Sequence, residues 1–369
     1  MMQSNLPSTG FTSTGPPSRP ANSSWHHGLL VVLMAMSLLA GPFPGALIAQ
    51  RALPVIDVHV HASPANSQGP PPLGVCVNGT GWPVWDQQQP WPDTFMALVK
   101  KPPCSDPVWS PMTDDELRQQ TIAALQRRNI VGVVGGTPAR VQRWRQDAPD
   151  RILPGLALEL PKTDVTPALV RELHGKGELA VLGEVSHQYQ GLAADDPAFE
   201  PFLATAEQLD IPVGIHVGTG PPGAPYLGFS RYRARLHSAL ALEEPLLAHP
   251  KLRLYVMHAG WPMIDDLLAV LWAHPQVHVE VGAIVWALPR AEFYRFLQRI
   301  VEAGFGSRVM FGSDQMVWPG VIERSIQVIE EAPFLSDAQK RDILYHNAAR
   351  FLRLSQADID RHHGQKLRN

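Results

Sequence analysis

Two histidines separated by one residue lie at the end of an apolar segment early in the chain. His59 and His61 end the sequence VIDVHVH (55–61). Side chains two residues apart on a β-strand point to the same side of the sheet, so both imidazoles face one point. Imidazole nitrogens are common ligands of divalent cations. Four further side chains of metal-binding type stand at the ends of later apolar segments: Glu184, His216, His258 and Asp314.

Apolar segments alternate with helical ones from residue 113 onward. Thr113 is a predicted helix N-cap, with Glu116 at the capping-box position. Counted from VIDVHVH, eight apolar strand segments occur, nearly all followed by an amphipathic helix. Strands that are apolar on both sides are typical of a parallel sheet buried on both faces. We therefore predict an α/β fold, a (β/α)8 TIM barrel in residues 50–354, with a long Pro/Trp-rich loop after the first strand.

An open doubly wound sheet is the alternative architecture. Its first strand is normally followed by a glycine-rich phosphate-binding turn, and HASPANSQGPPP (61–72) is not such a turn. In a TIM barrel the active site forms at the carboxyl ends of the strands. The six residues of metal-binding type fall at the ends of strands one, four, five, six and eight: His59, His61, Glu184, His216, His258 and Asp314. They therefore share one rim, where imidazoles and carboxylates suit zinc and related divalent ions.

With these residues in place, the chain resembles the metal-dependent amidohydrolase superfamily. The likeness is closer to its amidohydrolase-related branch, which holds both hydrolases and decarboxylases, and it extends over residues 53–354. It rests on five motifs: DVHVH (57–61), GE (183–184), IHVG (215–218), MHAG (257–260) and FGSD (311–314). The resemblance implies that His59, His61 and Asp314 bind one metal ion. It implies that His216 is a ligand of the same ion or of a second one.

Glu184 decides between the two kinds of enzyme in this branch. By the resemblance, it occupies the place of the bridging carboxylate or carbamylated lysine of two-metal members, where His216 and His258 would complete a second site. One-metal, decarboxylase-like members typically lack this carboxylate, and their strand-six histidine acts on the substrate. Glu184 thus favours a two-metal hydrolase, although it could instead pair with a ligand histidine without binding metal. Asp57 lies deeper on the same strand face, where we expect a supporting role.

The residue types suit hydrolysis. A divalent ion lowers the pKa of a bound water to ~7 and polarises a scissile carbonyl or phosphoryl oxygen. Asp314 can accept the proton of that water and pass it to the leaving group, and with one metal His258 would stabilise the oxyanion. We predict a metal-dependent hydrolase of an ester, lactone or amide bond. The alternatives are a metal-dependent decarboxylase or hydratase of an aromatic or unsaturated carboxylic acid, and a non-catalytic metal-binding scaffold. The expected cofactor is zinc, as one or two ions, with manganese, iron or cobalt as alternatives.

Several residues beyond the strand ends are candidates for substrate contact. His187 and Tyr189 follow Glu184 closely. An arginine in the long loop after His216 could clamp a carboxylate or phosphate, but solvated surface charge is the alternative for most of that loop's arginines. The tryptophans near His258 and Asp314 could form apolar walls or pack in the core. The tryptophans of the loop at 62–112 could line an entrance or seal one end of the domain. The candidates for substrate contact in the later loops are Arg231, Arg233, Trp261 and Trp318.

The N-terminal region has the composition of a leader. Residues 1–27 are rich in Ser, Pro, Gly and Asn and are predicted to be disordered. Residues 28–49 contain an apolar run that is shorter than the ~20 residues of a membrane span, which indicates a signal peptide cleaved after Ala49. An uncleaved membrane anchor is the alternative. Export to the periplasm or outside the cell would let Cys76 and Cys104 form a disulfide, and two unpaired thiols are the other reading.

Composition limits the partners. The 369 residues carry a formal charge of −3 and 45% hydrophobic residues. This balance supports a large core and gives no basic field for nucleic acid or acidic membranes. We expect a small-molecule substrate, no nucleic acid, and membrane contact only if the apolar segment at 28–49 is retained. A homo-oligomer is compatible with the sequence, and the polar tail at 355–369 is expected to fray.

Overall fold

The computed structural model describes residues 52–79, 81–161 and 163–364. The disordered extension predicted at 1–27 and the signal peptide or anchor predicted at 28–49 lie outside the described residues. Among the residues that are described, we find no helix whose length and apolarity would let it cross a membrane.

The barrel strands follow one another in chain order. Strands β1 and β4 to β10 form one sheet of eight neighbouring parallel strands, and β2 and β3 form a separate antiparallel pair. The predicted TIM-barrel fold is confirmed. The strands are β1 (Val55–His61), β2 (Gly74–Val75), β3 (Val108–Trp109), β4 (Ile130–Gly135), β5 (Ile152–Glu159), β6 (Val181–Ser186), β7 (Val213–His216), β8 (Leu254–Met257), β9 (His278–Glu280) and β10 (Val309–Met310).

The sheet is nearly closed by bonds between β1 and the segment that follows β10. The amide of Val58 donates to the carbonyl of Phe311 at 2.9 Å, and the amide of Asp314 donates to the carbonyl of His59 at 2.8 Å. The Asp57 carboxylate also accepts from the amide of Ser313 at 2.9 Å. The FGSD segment is therefore bonded directly to the strand that carries the histidine pair.

Helices lie between the strands and cover the sheet. The capping box predicted at Thr113 and Glu116 is confirmed at the start of α2. The described α-helices are α1 (Trp91–Lys100), α2 (Asp114–Arg127), α3 (Pro138–Asp147), α4 (Pro167–Gly175), α5 (Glu200–Gln208), α6 (Glu243–Ala248), α7 (Ile264–Ala273), α8 (Ile284–Ala287), α9 (Arg290–Ile300), α10 (Gly320–Glu330), α11 (Asp337–Arg341), α12 (Asn347–Phe351) and α13 (Gln356–His362).

Large side chains fill the barrel below the polar rim. Ile56, Val58, Tyr255 and Met257 belong to one buried cluster inside the sheet. The Tyr255 hydroxyl donates to the carbonyl of Val58 at 3.2 Å. A Cβ on Gly214 would lie 2.4 Å from the Tyr255 ring, so this glycine makes room for the phenol. The polar rim therefore rests on a packed apolar floor, as in other barrels.

The region at 62–112 is more regular than the sequence indicates. It contains β2, β3 and α1, and Cys76 and Cys104 are joined by a disulfide bond. Helix α1 begins directly after Pro90. Pro92 occupies its second position, where a missing amide hydrogen costs nothing. The long Pro/Trp-rich segment predicted after the first strand therefore contains one helix and a short antiparallel strand pair.

The C-terminal segment is also ordered where the sequence predicted fraying. Ser355 caps α13 by accepting from the amide of Asp358. The Tyr345 hydroxyl and His362 Nδ1 are 3.0 Å apart, and the Asn129 amide donates to the His362 carbonyl at 3.2 Å. These contacts hold residues 356–362 on the barrel, and the prediction of a frayed tail is corrected for them.

Candidate metal centre

The six residues singled out by sequence meet at one rim of the barrel. His59 and His61 lie in β1, Glu184 in β6 and His216 at the end of β7. The remaining two follow strands directly or after a short segment: His258 follows β8, and Asp314 follows β10. Parallel strands bring their carboxyl ends together, so residues far apart in sequence become neighbours.

The first group of three consists of His59, His61 and Asp314, called the first triad below. The two Nε2 atoms are 2.9 Å apart, and Asp314 Oδ1 lies 2.9 Å from His61 Nε2 and 3.7 Å from His59 Nε2. Ligand atoms at 2.0–2.1 Å around a tetrahedral ion would be separated by about 3.3 Å. The spacing of the first triad suits one such ion.

The second group of three consists of Glu184, His216 and His258, called the second triad below. Glu184 Oε1 lies 2.5 Å from His216 Nδ1 and 3.6 Å from His258 Nε2. The centroids of the two imidazole rings are 4.3 Å apart. This group also brings three ligand atoms to one place.

Glu184 belongs to the second triad and also lies close to the first. Its Oε1 faces the second triad, whereas its Oε2 lies 3.7 Å from His61 Nε2 and 4.0 Å from His59 Nε2. One carboxylate oxygen thus faces each group, which is the arrangement that a bridging ligand requires. The close contact with His216 Nδ1 is equally the geometry of a hydrogen bond, in which Glu184 would orient that imidazole.

The unpaired nitrogens of the rim fit a cation. The Nε2 atoms of His216 and His258 are buried and have no hydrogen-bond partner among the described residues. His258 Nδ1 lies 2.9 Å from the carbonyl of Gly282, which can only accept, so the ring proton belongs on Nδ1 and Nε2 carries a lone pair. Buried lone pairs that converge without donors match a divalent ion, so the residues present fit the metal that the resemblance implies.

Opposite charges stabilise one another in this rim. Burial alone would lower the pKa of His59, but Asp314 and Glu280 outweigh it and raise the pKa to about 10. Burial would raise the pKa of Asp314, but His59 and His61 lower it to about 2. The pKa of Glu184 is likewise held well below its usual value, chiefly by His216 against the effect of burial. The carboxylates are therefore ionised at neutral pH.

A seventh polar residue of the site, Glu280, is the last residue of β9 and was not among the residues predicted from the sequence. It is 0% exposed, and its Oε1 lies 3.2 Å from His59 Nδ1. Burial raises the pKa of its carboxyl, but the charge of His59 outweighs this and lowers the pKa. The signal was the alternation HVE in an otherwise apolar segment, which places a carboxylate at the end of strand seven, on the same rim.

Asp57 has the supporting place that was expected. Its Oδ1 accepts from the amides of His59 at 3.1 Å and Ser313 at 2.9 Å. Burial raises the pKa of this carboxyl to about 7. It connects β1 to the FGSD segment from below the histidines.

The predicted substrate residues differ in their surroundings. The Tyr189 ring stands edge-on to the His216 ring, with centroids 5.5 Å apart. His187 is buried with its ring edge-on to Phe199, and burial lowers its pKa to about 3. Of the two, only Tyr189 has a ring against a triad histidine.

The remaining candidates lie away from the triads. Arg231 and Arg233 are exposed, and Arg233 donates to two carbonyls of its own loop. In the described part of the chain, neither forms an ion pair with a triad carboxylate. Trp318 is buried and donates to the carbonyl of Leu73 at 2.9 Å, and Trp261 donates to Glu292 at 3.1 Å. These contacts match the packing alternative for both indoles.

Comparison with known structures shows the same fold at low identity. One neighbour is an uncharacterized TIM-barrel protein from Bordetella bronchiseptica, with 18% identity, a TM-score of 0.52, and coverage of 85% of this chain and 100% of that one. The 5-carboxyvanillate decarboxylase of Sphingomonas paucimobilis has 13% identity, a TM-score of 0.51, and coverage of 82% and 100%. The 5-carboxyvanillate decarboxylase of Novosphingobium aromaticivorans, with bound manganese, has 12% identity, a TM-score of 0.52, and coverage of 83% and 98%.

The family assignment comes from the sequence. No curated protein matches this chain. The family model described as Amidohydrolase matches residues 56–354, which is most of the barrel together with every residue of both triads. The chain therefore belongs to the amidohydrolase family.

Proposed function

We propose that this protein is a metal-dependent hydrolase that cleaves an ester, lactone or amide bond with water. The observation that carries the proposal is the place of Glu184, with one carboxylate oxygen toward each triad. His59, His61 and Asp314 would hold one ion, and Glu184, His216 and His258 would hold a second. Zinc is the first choice for this donor set, with manganese, iron and cobalt as alternatives. When bound, a divalent ion lowers the pKa of water and polarises the carbonyl of the substrate.

Asp314 is the proposed proton carrier. It is ionised at neutral pH because its pKa is lowered to about 2 by His59 and His61 despite burial. It can therefore accept a proton from the attacking water, and its low pKa makes it ready to release that proton to the leaving group. A hydrogen bond from the backbone amide of Asp314 to the carbonyl of His59 holds this residue in place within the first triad.

Tyr189 is the proposed substrate contact. Burial, Glu184 and Asp314 raise the pKa of its phenol well above the usual value, so it stays protonated and can donate a hydrogen bond. Its ring lies against His216. A phenol in this place can bind the carbonyl oxygen of a substrate at the rim and strengthen that bond as negative charge develops.

Decarboxylation of an aromatic or unsaturated acid is the second candidate. It is favoured by the 2.5 Å contact between Glu184 Oε1 and His216 Nδ1, which would make Glu184 a hydrogen-bond partner of a ligand. One ion would then bind at the first triad, and His258 would act on the substrate. Two of the structural neighbours are decarboxylases of a carboxyvanillate.

The test is turnover by the zinc-loaded protein on panels of esters, lactones, amides and aromatic carboxylic acids. We expect hydrolysis that is lost with a chelator, and a loss of about 10²–10⁴-fold in kcat for Asp314→Asn, the range of a general acid–base group. Asp265→Asn makes the same chemical change on the exposed side of α7 and should leave kcat unchanged. Full activity in Asp314→Asn would contradict its role as proton carrier. Release of carbon dioxide from an aromatic acid would support the decarboxylase. No turnover on any panel would support the non-catalytic scaffold.

A further inference from the structure

A fully buried carboxylate lies behind the histidines of the rim. Glu280 is 0% exposed, and its ion-pair partners within the described residues are His59 and His258. A buried carboxylate is costly unless donors surround it. The groups that donate hydrogen bonds to Glu280 therefore indicate its structural role.

Glu280 accepts three hydrogen bonds. Its Oε1 accepts from the backbone amide of His258 at 2.7 Å and contacts His59 Nδ1 at 3.2 Å, and its Oε2 accepts from the amide of Gly282 at 2.5 Å. Two glycines make room for it. A Cβ on Gly312 would lie 2.0 Å from Oε2, and one on Gly282 would lie 2.7 Å from the same atom.

These bonds determine the direction of both imidazoles. An ionised carboxylate can only accept, so the contact with His59 keeps a proton on Nδ1 and makes Nε2, which faces His61, the ring nitrogen available to a metal ion. The same carboxylate holds the amide of His258 and the amide of Gly282, whose carbonyl faces His258 Nδ1. One side chain is thus bonded to a member of each triad.

We propose that Glu280 is the positioning residue of the metal centre: it holds His59 and His258 so that Nε2 of each faces the metal. It acts through these histidines and not as a ligand of either triad, because it contacts the His59 ring at Nδ1, on the side away from the Nε2 that faces His61. The inference rests on the proposed metal centre. It adds to that centre a residue outside both assigned ligand sets.

The experiment is metal binding by Glu280→Gln. Glutamine has the same shape, but its amide nitrogen cannot accept, so a donor would face either Gly282 or the pair formed by His59 and His258. We expect cobalt(II) affinity, measured by chelator competition, to fall about 10–100-fold. The visible absorption of the cobalt protein should also change. Glu280→Asp keeps the charge and should restore part of the affinity, a rescue that a merely structural role would not require.

His278→Gln is the matched control. It lies two residues earlier in β9 and packs against Phe351, away from the triads. It should bind cobalt with the affinity and spectrum of the unaltered protein. Unchanged affinity and spectrum in a folded Glu280→Gln would overturn the inference, whereas failure of the unaltered protein to bind cobalt would instead count against the metal centre itself.

A measurement on the unaltered protein covers the case in which the variants do not fold. With histidine labelled by ¹⁵N and zinc bound, the chemical shifts distinguish a protonated ring nitrogen from a metal-bound one. His59 should be protonated at Nδ1 and metal-bound at Nε2, with His59→Ala providing its assignment. Metal at Nδ1 of His59 would overturn the inference.

Discussion

At the scale of single residues, the centre depends on where protons and lone pairs lie. Each of the six residues chosen by sequence has a ring nitrogen or carboxylate oxygen within 3.7 Å of another member of the set. The ends of the predicted strands indicated these positions, because the carboxyl ends of barrel strands meet at one rim. The orientations of the His59 and His258 rings could not be predicted, since they depend on Glu280 and on the carbonyl of Gly282, which belong to β9 and the segment after it.

Glu184→Gln gives the sharpest prediction at this scale. A neutral amide is a poor bridging ligand, so the second triad should lose its ion while the first triad keeps its own. We expect metal content to fall from two ions per chain to one, measured by elemental analysis after dialysis. Glu172→Gln, an exposed change in α4, should keep two. A Glu184→Gln protein that still holds two ions would contradict a bridging role.

At the scale of elements, the barrel strands and helices follow patterns within each segment, whereas the loops depend on contacts between segments. Trp91 is buried, and its indole donates to the carbonyl of Pro222, at 3.0 Å, in the loop after β7. The Trp85 ring packs against Tyr226 of that same loop, with centroids 4.8 Å apart. Such pairings have no periodic signal in the sequence. They show that these two indoles join the two long loops, while Trp82 and Trp109 are exposed.

The disulfide between Cys76 and Cys104 should stabilise this loop region. It closes a loop with a sequence separation of 28 residues, for which chain entropy indicates about 3.5 kcal/mol. We expect the variant with Cys76→Ser and Cys104→Ser to lose about that much in free energy of unfolding, measured by urea denaturation. Added reductant should bring the unaltered protein to the same value. Equal stability with and without the bond would contradict this.

At the scale of the whole molecule, the order of the strands and the position of the active rim were predictable. Eight apolar segments separated by helices leave few arrangements for a parallel sheet, and the family match over residues 56–354 agrees with the barrel. The tail was not predictable from its polarity. Ser355 and His362 make specific bonds to the end of the barrel, and these outweigh the tendency of a polar terminus to fray.

Buried neutral histidines should make the metal-free protein sensitive to acid. Burial lowers the pKa of each of four of them, to about 3 or about 4: His187, His237, His278 and His362. The unfolded chain takes up protons below pH ~6.5, whereas the folded chain resists until about pH 4, so stability falls as pH drops through this window. Asp57, with its pKa raised to about 7, acts in the opposite direction, and so, between pH 7 and about pH 6, do His59, His249 and His258, whose pKa values are raised. Together they offset only part of the decrease.

We therefore expect Tm to decrease between pH 7 and pH 4.5, and to decrease less in His278→Gln. Each pKa unit corresponds to about 1.4 kcal/mol, so the difference for one histidine should be at most about 3 kcal/mol. Calorimetry on metal-free protein provides the measurement. A Tm that stays constant or rises toward pH 4.5 would contradict the account of these side chains.

The most direct test of the two-metal centre is an anomalous difference map from crystals grown with zinc. We predict two peaks, one among His59, His61 and Asp314 and one between His216 and His258, with an oxygen of Glu184 bound to each. A single peak at the first triad, with Glu184 bonded only to His216, would contradict the two-metal hydrolase.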